Sequence, residues 1–331
     1  MTVSSIATST APIETCDLSM RYGTRESALT GLSLTIPDGA IYALIGPNGA
    51  GKSTFIRLLL NILRPTSGTA SVLGRISTSI SAEAFTEIAY VSENQELPEW
   101  MTTSQFLAYL RPFYPLWDMV LEQQLARQLN IPMSRKLKHL SRGQRMKASL
   151  LSVLPYHPKL IILDEPFSGL DPLVRDELTE GLLDRAAQPD PPTILISSHD
   201  LAEVETIATH VGFLDHGRLL FSEESAALAS RFQQVTVTLA ANAASPSTPP
   251  VSSLPPPYPT AWLLPELGPS VFRFVHSQAN DEMIRSQVST AFPNAKGIDT
   301  EPMSLRAIFV ALAKSARSRT QDTIAVGRRQ A

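Results

Sequence analysis

A chain of 331 residues is long enough to fold around two separate cores, since domains commonly run to roughly 100–200 residues each. A hydrophobic fraction of 43 % and a charged fraction of 18 % suit a globular protein, and a net charge of −3 gives no overall positive field to draw nucleic acid. The lone Cys16 excludes an internal disulfide, and no apolar run approaches the ~20 residues that span a bilayer.

Met1 to Thr10 is rich in Ser and Thr and lacks both a basic segment and an apolar stretch, so a secretion signal is not expected. Residues 1–12 read as a flexible tail. The expectation is a soluble protein that stays where it is made and serves a membrane only through a partner. From Ile13 to about Ser230, short apolar runs alternate with helical patterns, which predicts an α/β domain with a largely parallel sheet. Ile41–Ile45, Leu160–Leu163 and Thr193–Ile196 read as strands, each followed by a polar or Gly-rich turn. Function in such sheets gathers where strands end and helices begin.

Leu97 to Leu154 breaks the alternation and reads as a mostly helical arm, punctuated by Pro112, Pro115 and Pro132. Its aromatic residues Trp100, Phe106, Tyr109, Phe113, Tyr114 and Trp117 either fill a small helical core or line a groove for a partner helix. After Arg231 the pattern changes to a small α+β accessory domain over 231–316. Its predicted parts are a strand at Gln233–Leu239, a mobile Pro-rich loop over 244–259 and a strand at Val271–His276. Helices follow at Asp281–Phe292 and at Ser304–Ser315, the latter with Ser304 as N-cap. Residues 317–331 read as a disordered basic tail, solvated or touching anionic lipid.

Gly46-Pro47-Asn48-Gly49-Ala50-Gly51-Lys52-Ser53-Thr54 forms a phosphate-binding loop between the strand Ile41–Ile45 and a helix predicted over Ser53–Leu63. Gly49 and Gly51 let successive amides point inward as an anion nest, and the helix N-terminus adds partial positive charge. Lys52 places a full charge against the β- and γ-phosphates of a nucleoside triphosphate, and the Ser53 hydroxyl is a candidate Mg²⁺ ligand. The apolar run Leu160–Leu163 ends in Asp164-Glu165, a pair no buried strand tolerates without charge partners. Asp164 at the strand tip is a candidate metal ligand. Glu165 is the candidate general base for the attacking water.

Leu140-Ser141-Arg142-Gly143-Gln144 stands before an apolar helix that reads to about Leu154. This segment resembles the signature of ABC (ATP-binding cassette) ATPases, with Arg142 in place of a glycine. Tyr22 upstream of the P-loop, Ser168-Gly169-Leu170-Asp171 after the carboxylates, and His199 beyond the strand Thr193–Ile196 stand in that family's order. The resemblance covers about residues 13–222 and extends to ATPases of ABC-2-type exporters with a short C-terminal domain. It implies a P-loop NTPase cassette with a mostly parallel core sheet, an antiparallel β subdomain and a helical arm, and it implies ATP and Mg²⁺ as ligands. It also implies a second ABC ATPase subunit, in a homodimer or heterodimer that sandwiches two nucleotides. The signature residues Ser141, Gly143 and Gln144 would then act on ATP held by that second subunit, and Asp171 is a further candidate nucleotide-binding residue. A separate transmembrane permease would be the other partner, placing the chain in the cytoplasm on the inner face of the membrane. No nucleic acid is expected.

Beside that resemblance, Tyr22 reads as an adenine-stacking or core tyrosine, and Ser141 with the Gly143 amide as a second helix-start anion site. His199 is expected to be neutral near pH 7 and to donate to a γ-phosphate oxygen. Cys16, His139, His157, His210, His216 and His276 show no metal-ligand spacing, so no zinc site is expected. Glu93 occupies the place where the family carries a glutamine linking metal and water, with Gln95 displaced by two. A carboxylate there ligates Mg²⁺ but cannot donate to water, which favours slower or differently coupled hydrolysis. The resulting expectation is an ATP-hydrolysing transporter subunit. The rivals are a soluble ABC mechanoenzyme and a low-turnover, nucleotide-gated assembly module.

Overall fold

Apolar runs without a polar face belong inside a sheet covered on both sides, and Ile41–Ile45 and Leu160–Asp164 are buried at every position. The computed structural model describes residues 11–23, 26–239, 258–259, 261–278, 280–293 and 295–315. Most of the expected tails and Pro-rich loop, at 1–10, 244–257 and 317–331, lie outside the described residues. The chain divides into two compact units, Met1–Ser222 and Glu223–Ala331.

In the first unit, strands β1 (Ile13–Tyr22), β2 (Glu26–Ile36), β4 (Ser67–Val72) and β5 (Arg75–Ile76) form an antiparallel sheet in the order β2-β1-β4-β5. A second, six-stranded sheet runs β10-β9-β3-β8-β7-β6. Its members are β3 (Ile41–Ile45), β6 (Ile88–Ser92), β7 (Leu160–Asp164), β8 (Thr193–Ser198), β9 (His210–Asp215) and β10 (Arg218–Glu224). Strands β9, β3, β8, β7 and β6 pair in parallel. The core joins the two sheets through Ile13, Leu18, Leu32, Leu44, Phe55 and Ile162. Register pairs Ile45 with Ser198 and Asp164 with Ser197, so three strands end at one level. Their carboxyl ends form the crevice where ligands bind in such sheets.

Helix α1 (Lys52–Leu59) stops short of the predicted Leu63 because Asn61 adopts a left-handed conformation, φ 56°. After the short α2 (Ala82–Phe85), the arm carries α3 (Thr103–Leu110), α4 (Met119–Gln128) and α5 (Arg142–Leu151). Leu97, Phe106, Leu137, Leu140 and Ala148 form its core. The aromatic group divides into packed and exposed members. Tyr114 stacks on Tyr156 at 3.9 Å and Trp117 packs beside it, whereas Trp100 is 71 % exposed and Tyr109 and Phe113 also face solvent. Glu122, buried in the arm, is neutralised by Arg111 at 2.7 and 3.0 Å and accepts from Trp117 Nε1 at 2.8 Å. Helix α6 (Pro172–Ala186) completes the unit.

The second unit begins ahead of the expected break near residue 230, with α7 (Ser225–Arg231) on its side. The cause is local: Arg231 pairs with Glu223 and donates to Ser277 O at 2.8 Å. Strands β11 (Gln233–Leu239), β12 (Trp262–Leu267), β13 (Val271–His276) and β14 (Ala295–Pro302) form an antiparallel sheet in the order β12-β13-β11-β14. Val235, Val237, Trp262, Phe272 and Phe274 pack against Ile284 and Val288 of α8 (Asp281–Ala291). Helix α9 spans 305–315 with Ser304 accepting from Ala307 N at 3.2 Å, as an N-cap does. Strands β12 and β14 escape the sequence pattern because both are edges. Edges tolerate Pro265, Gly297 and charge, and so lose the apolar alternation.

Candidate functional site

The phosphate loop leaves β3 at Gly46, where a Cβ atom would sit 2.2 Å from Leu214 O, so only glycine fits. Gly51 at φ 109° is the N-cap of α1, a conformation L side chains rarely adopt. No side chain caps this helix, which leaves its first amides directed outward as an anion site. Pro47, Asn48 and Gly49 form the exposed rim and Ala50 is buried beneath it. Lys52 is 5 % exposed, and its Nζ donates to Gly46 O at 2.6 Å and to Pro47 O at 3.3 Å.

Nζ of Lys52 also lies 3.1 Å from Glu165 Oε1. Glu165 has φ 54°, unusual for a residue with a side chain, and its N–H donates to Ser197 Oγ at 3.0 Å and to Ser197 O at 3.2 Å. That strained turn aims the carboxylate at the P-loop. Asp164, one residue earlier, accepts from Ser53 Oγ at 3.3 Å and from Ser197 Oγ at 2.5 Å. Ser197 was not singled out by the sequence, although its register opposite Asp164 makes it the hinge of both acidic groups.

His199 Nδ1 lies 2.7 Å from Glu165 Oε2. The hydrogen bond to Glu165 and the charges of Glu165 and Glu203 raise the imidazole above its ordinary range, against a smaller opposing effect of burial. The facing carboxylate thus shifts His199 toward its cation relative to a free imidazole. Glu203, also unforeseen, is buried and accepts from Ser198 Oγ at 2.6 Å. Among the described residues, ligating atoms of Glu165, His199 and Glu203 lie within 4.8 Å of one another. The Lys52 ammonium lies against Glu165 and partly compensates the charge of this cluster.

The predicted residues outside this cluster have local partners. The Tyr22 hydroxyl is 3.4 Å from Thr54 Oγ1, with the ring partly exposed at the end of β1. Ser141 and Gln144 form a capping box, each side chain bonding the other's backbone N–H at 3.2 Å. Gly143 lets α5 approach α6, since a Cβ there would lie 2.9 Å from Val174 Cγ1. Asp171 caps α6 by accepting from Val174 N at 3.0 Å. Glu93, a candidate metal ligand by sequence, is ion-paired with Arg142.

The donors suit the expected ligands. An uncapped helix start beside a buried lysine fits a polyphosphate, and the neighbouring Ser53 hydroxyl and Asp164 carboxylate are hard oxygens of the kind magnesium takes. Among the described residues, no helix is long and apolar enough to cross a membrane.

Residues 29–168 match the family described as ABC transporter. The chain is 32 % identical over 209 residues to the lantibiotic transport ATP-binding protein SrtF of Streptococcus pyogenes, covering 63 % of this chain and 89 % of SrtF. It is 34 % identical over 217 residues to the daunorubicin/doxorubicin resistance ATP-binding protein DrrA of Streptomyces peucetius, covering 64 % of each. Four curated relatives, DrrA among them, are matched over only 59–65 % of their own length. A solved ATP-binding subunit of an ABC transporter superposes with a TM-score of 0.58 at 30 % identity, over 64 % of this chain and 89 % of that one. Motif order, sheet topology and these likenesses agree that the chain belongs to the ABC transporter ATP-binding proteins.

Proposed function

We propose that this chain binds and hydrolyses ATP as the motor subunit of an ABC transporter. It pairs with a second ABC ATPase subunit and drives a separate transmembrane permease from the cytoplasmic face of the membrane. The observation that carries this reading is the convergence of Lys52, Glu165 and His199 at the mouth of the phosphate loop.

Each residue has a task that follows from its place. The α1 amides and Lys52 bind the β- and γ-phosphates, with Lys52 exchanging Glu165 for phosphate oxygen as ATP arrives. Magnesium, when bound, neutralises phosphate charge, and Ser53 and Asp164 would hold it. Glu165, released from Lys52, accepts a proton from the attacking water. His199 keeps Glu165 oriented and offers a proton-bearing nitrogen to the γ-phosphate as charge develops. Tyr22, at the exposed end of β1, offers a face for adenine. Ser141, Gly143 and Asp171 act on the nucleotide of the second subunit as the dimer closes.

The exposed Trp100, Tyr109, Phe113, Leu116 and Val120 on the arm favour a partner surface that receives the closing motion. Export is favoured over import by the names of relatives concerned with drug resistance and with lantibiotic and bacitracin transport. Phosphate release by the purified chain tests the reading. Turnover that disappears in Lys52→Ala and Glu165→Gln supports it, and equal turnover in all three proteins refutes it.

A further inference from the structure

Arg142 is the first residue of α5, and its guanidinium pairs with the carboxylate of Glu93, just past the end of β6. Glu93 is itself fixed to the acidic strand tip, because its backbone N–H donates to Asp164 O at 2.9 Å. The same guanidinium lies over Gly169 in the turn that follows Glu165. A Cβ on Gly169 would be 2.8 Å from Arg142 Nη1 and 2.9 Å from Cζ. One side chain thus touches the end of β6, the start of α5 and the turn after β7.

The electrostatics explain why the pair forms. A cation at a helix N-terminus opposes the helix dipole, so Arg142 at the first position of α5 requires an anion close by, and Glu93 provides it. The planar guanidinium can pair with the carboxylate edge-on while one face rests on a residue without a side chain. Gly169 is such a residue, with φ 63°. The Arg142 and Glu93 side chains are 52 % and 28 % exposed, which makes the pair a breakable tie rather than a buried strut.

We infer that Arg142 is a positioning residue which, through Glu93, ties the Ser141–Gln144 helix start to the acidic tip of β7, so that the two move as one. The kinetic consequence rests on the ATPase reading above, whereas the tie itself belongs to the nucleotide-free protein and is measurable without turnover.

The experiment is a mutant cycle on the full chain with Arg142→Gln, Glu93→Gln, the double variant, and the charge-exchanged pair Glu93→Arg with Arg142→Glu. Amide hydrogen exchange of Gln144 and Arg145 is read first, in nucleotide-free protein. Each single variant should speed exchange by about 3- to 10-fold, the double variant by no more than the worse single, and the exchanged pair should return to within about twofold of wild type. Phosphate release is read second: kcat should follow the same pattern while KM for ATP stays within about twofold. Single-variant effects that multiply in the double variant, or an exchanged pair as loose as the worse single, would overturn the tie. A wild-type chain without ATP turnover would refute the ATPase reading and leave the exchange result to decide the tie.

Discussion

Lys52 Nζ lies 3.1 Å from Glu165 Oε1, so the proposed phosphate-binding cation and the proposed general base are paired with each other. On the proposed function, phosphate competes with Glu165 for Lys52, and winning that competition frees the carboxylate for chemistry. On that proposal, binding and activation are coupled through one ammonium group.

Glu165→Gln removes both the charge paired with Lys52 and the proposed base. Turnover should fall by about 10²–10⁴-fold, while ATP affinity should equal wild type or exceed it by up to about tenfold. Phosphate release and equilibrium nucleotide binding, measured on one preparation, check both halves. Weaker ATP binding in this variant would count against the competition.

His199 should titrate above the ordinary imidazole range, because Glu165 and Glu203 favour its cation. The sign follows from linkage: a raised folded-state pKa favours the folded protein below the unfolded imidazole value, as long as Glu165 stays ionised. That contribution fades as pH rises through the raised value. A histidine-resolved NMR titration should place its midpoint high in wild type and lower in Glu165→Gln. An unchanged midpoint in the variant would remove Glu165 as the cause.

Gly143→Ala places a methyl group 2.9 Å from Val174 Cγ1. Overpacking of this kind costs about 1–3 kcal/mol, so thermal unfolding should drop by several degrees. Adding Val174→Ala should recover most of the loss. If it does not, Gly143 serves something other than the approach of α5 to α6.

Arm residues should separate by burial. Phe106→Ala, in the arm core, should destabilise by about 3–5 kcal/mol in chemical denaturation. Trp100→Ala, 71 % exposed, should leave stability within about 0.5 kcal/mol and instead weaken co-purification with a membrane partner. Trp100→Ala that leaves partner recovery intact would assign the exposed aromatics no part in coupling.

The contiguous parts of the site were legible in the sequence because their chemistry is local. A glycine loop ending in Lys52-Ser53, and an apolar strand ending in Asp164-Glu165, each carry their meaning within a few residues. What register creates was not legible. Ser197 is an ordinary strand serine until β7 and β8 align and set it against Asp164. Glu203 and the raised His199 depend on groups facing one another across strand ends. Ser141 and Gln144 carry the S-x-x-Q pattern of a capping box in plain view, a local role that stands beside the nucleotide role their motif resemblance implies. Arg142 and Glu93 are remote in sequence, and nothing local joins them.

Equilibrium binding of a fluorescent ATP analogue to wild type and to Lys52→Ala, with magnesium present, bears on the central claim most directly. Saturable micromolar-range binding by wild type, weakened by at least about 30-fold in Lys52→Ala, is the outcome the charge at the phosphate loop demands. Equal binding by the two proteins, or none by wild type, would contradict the account at its root.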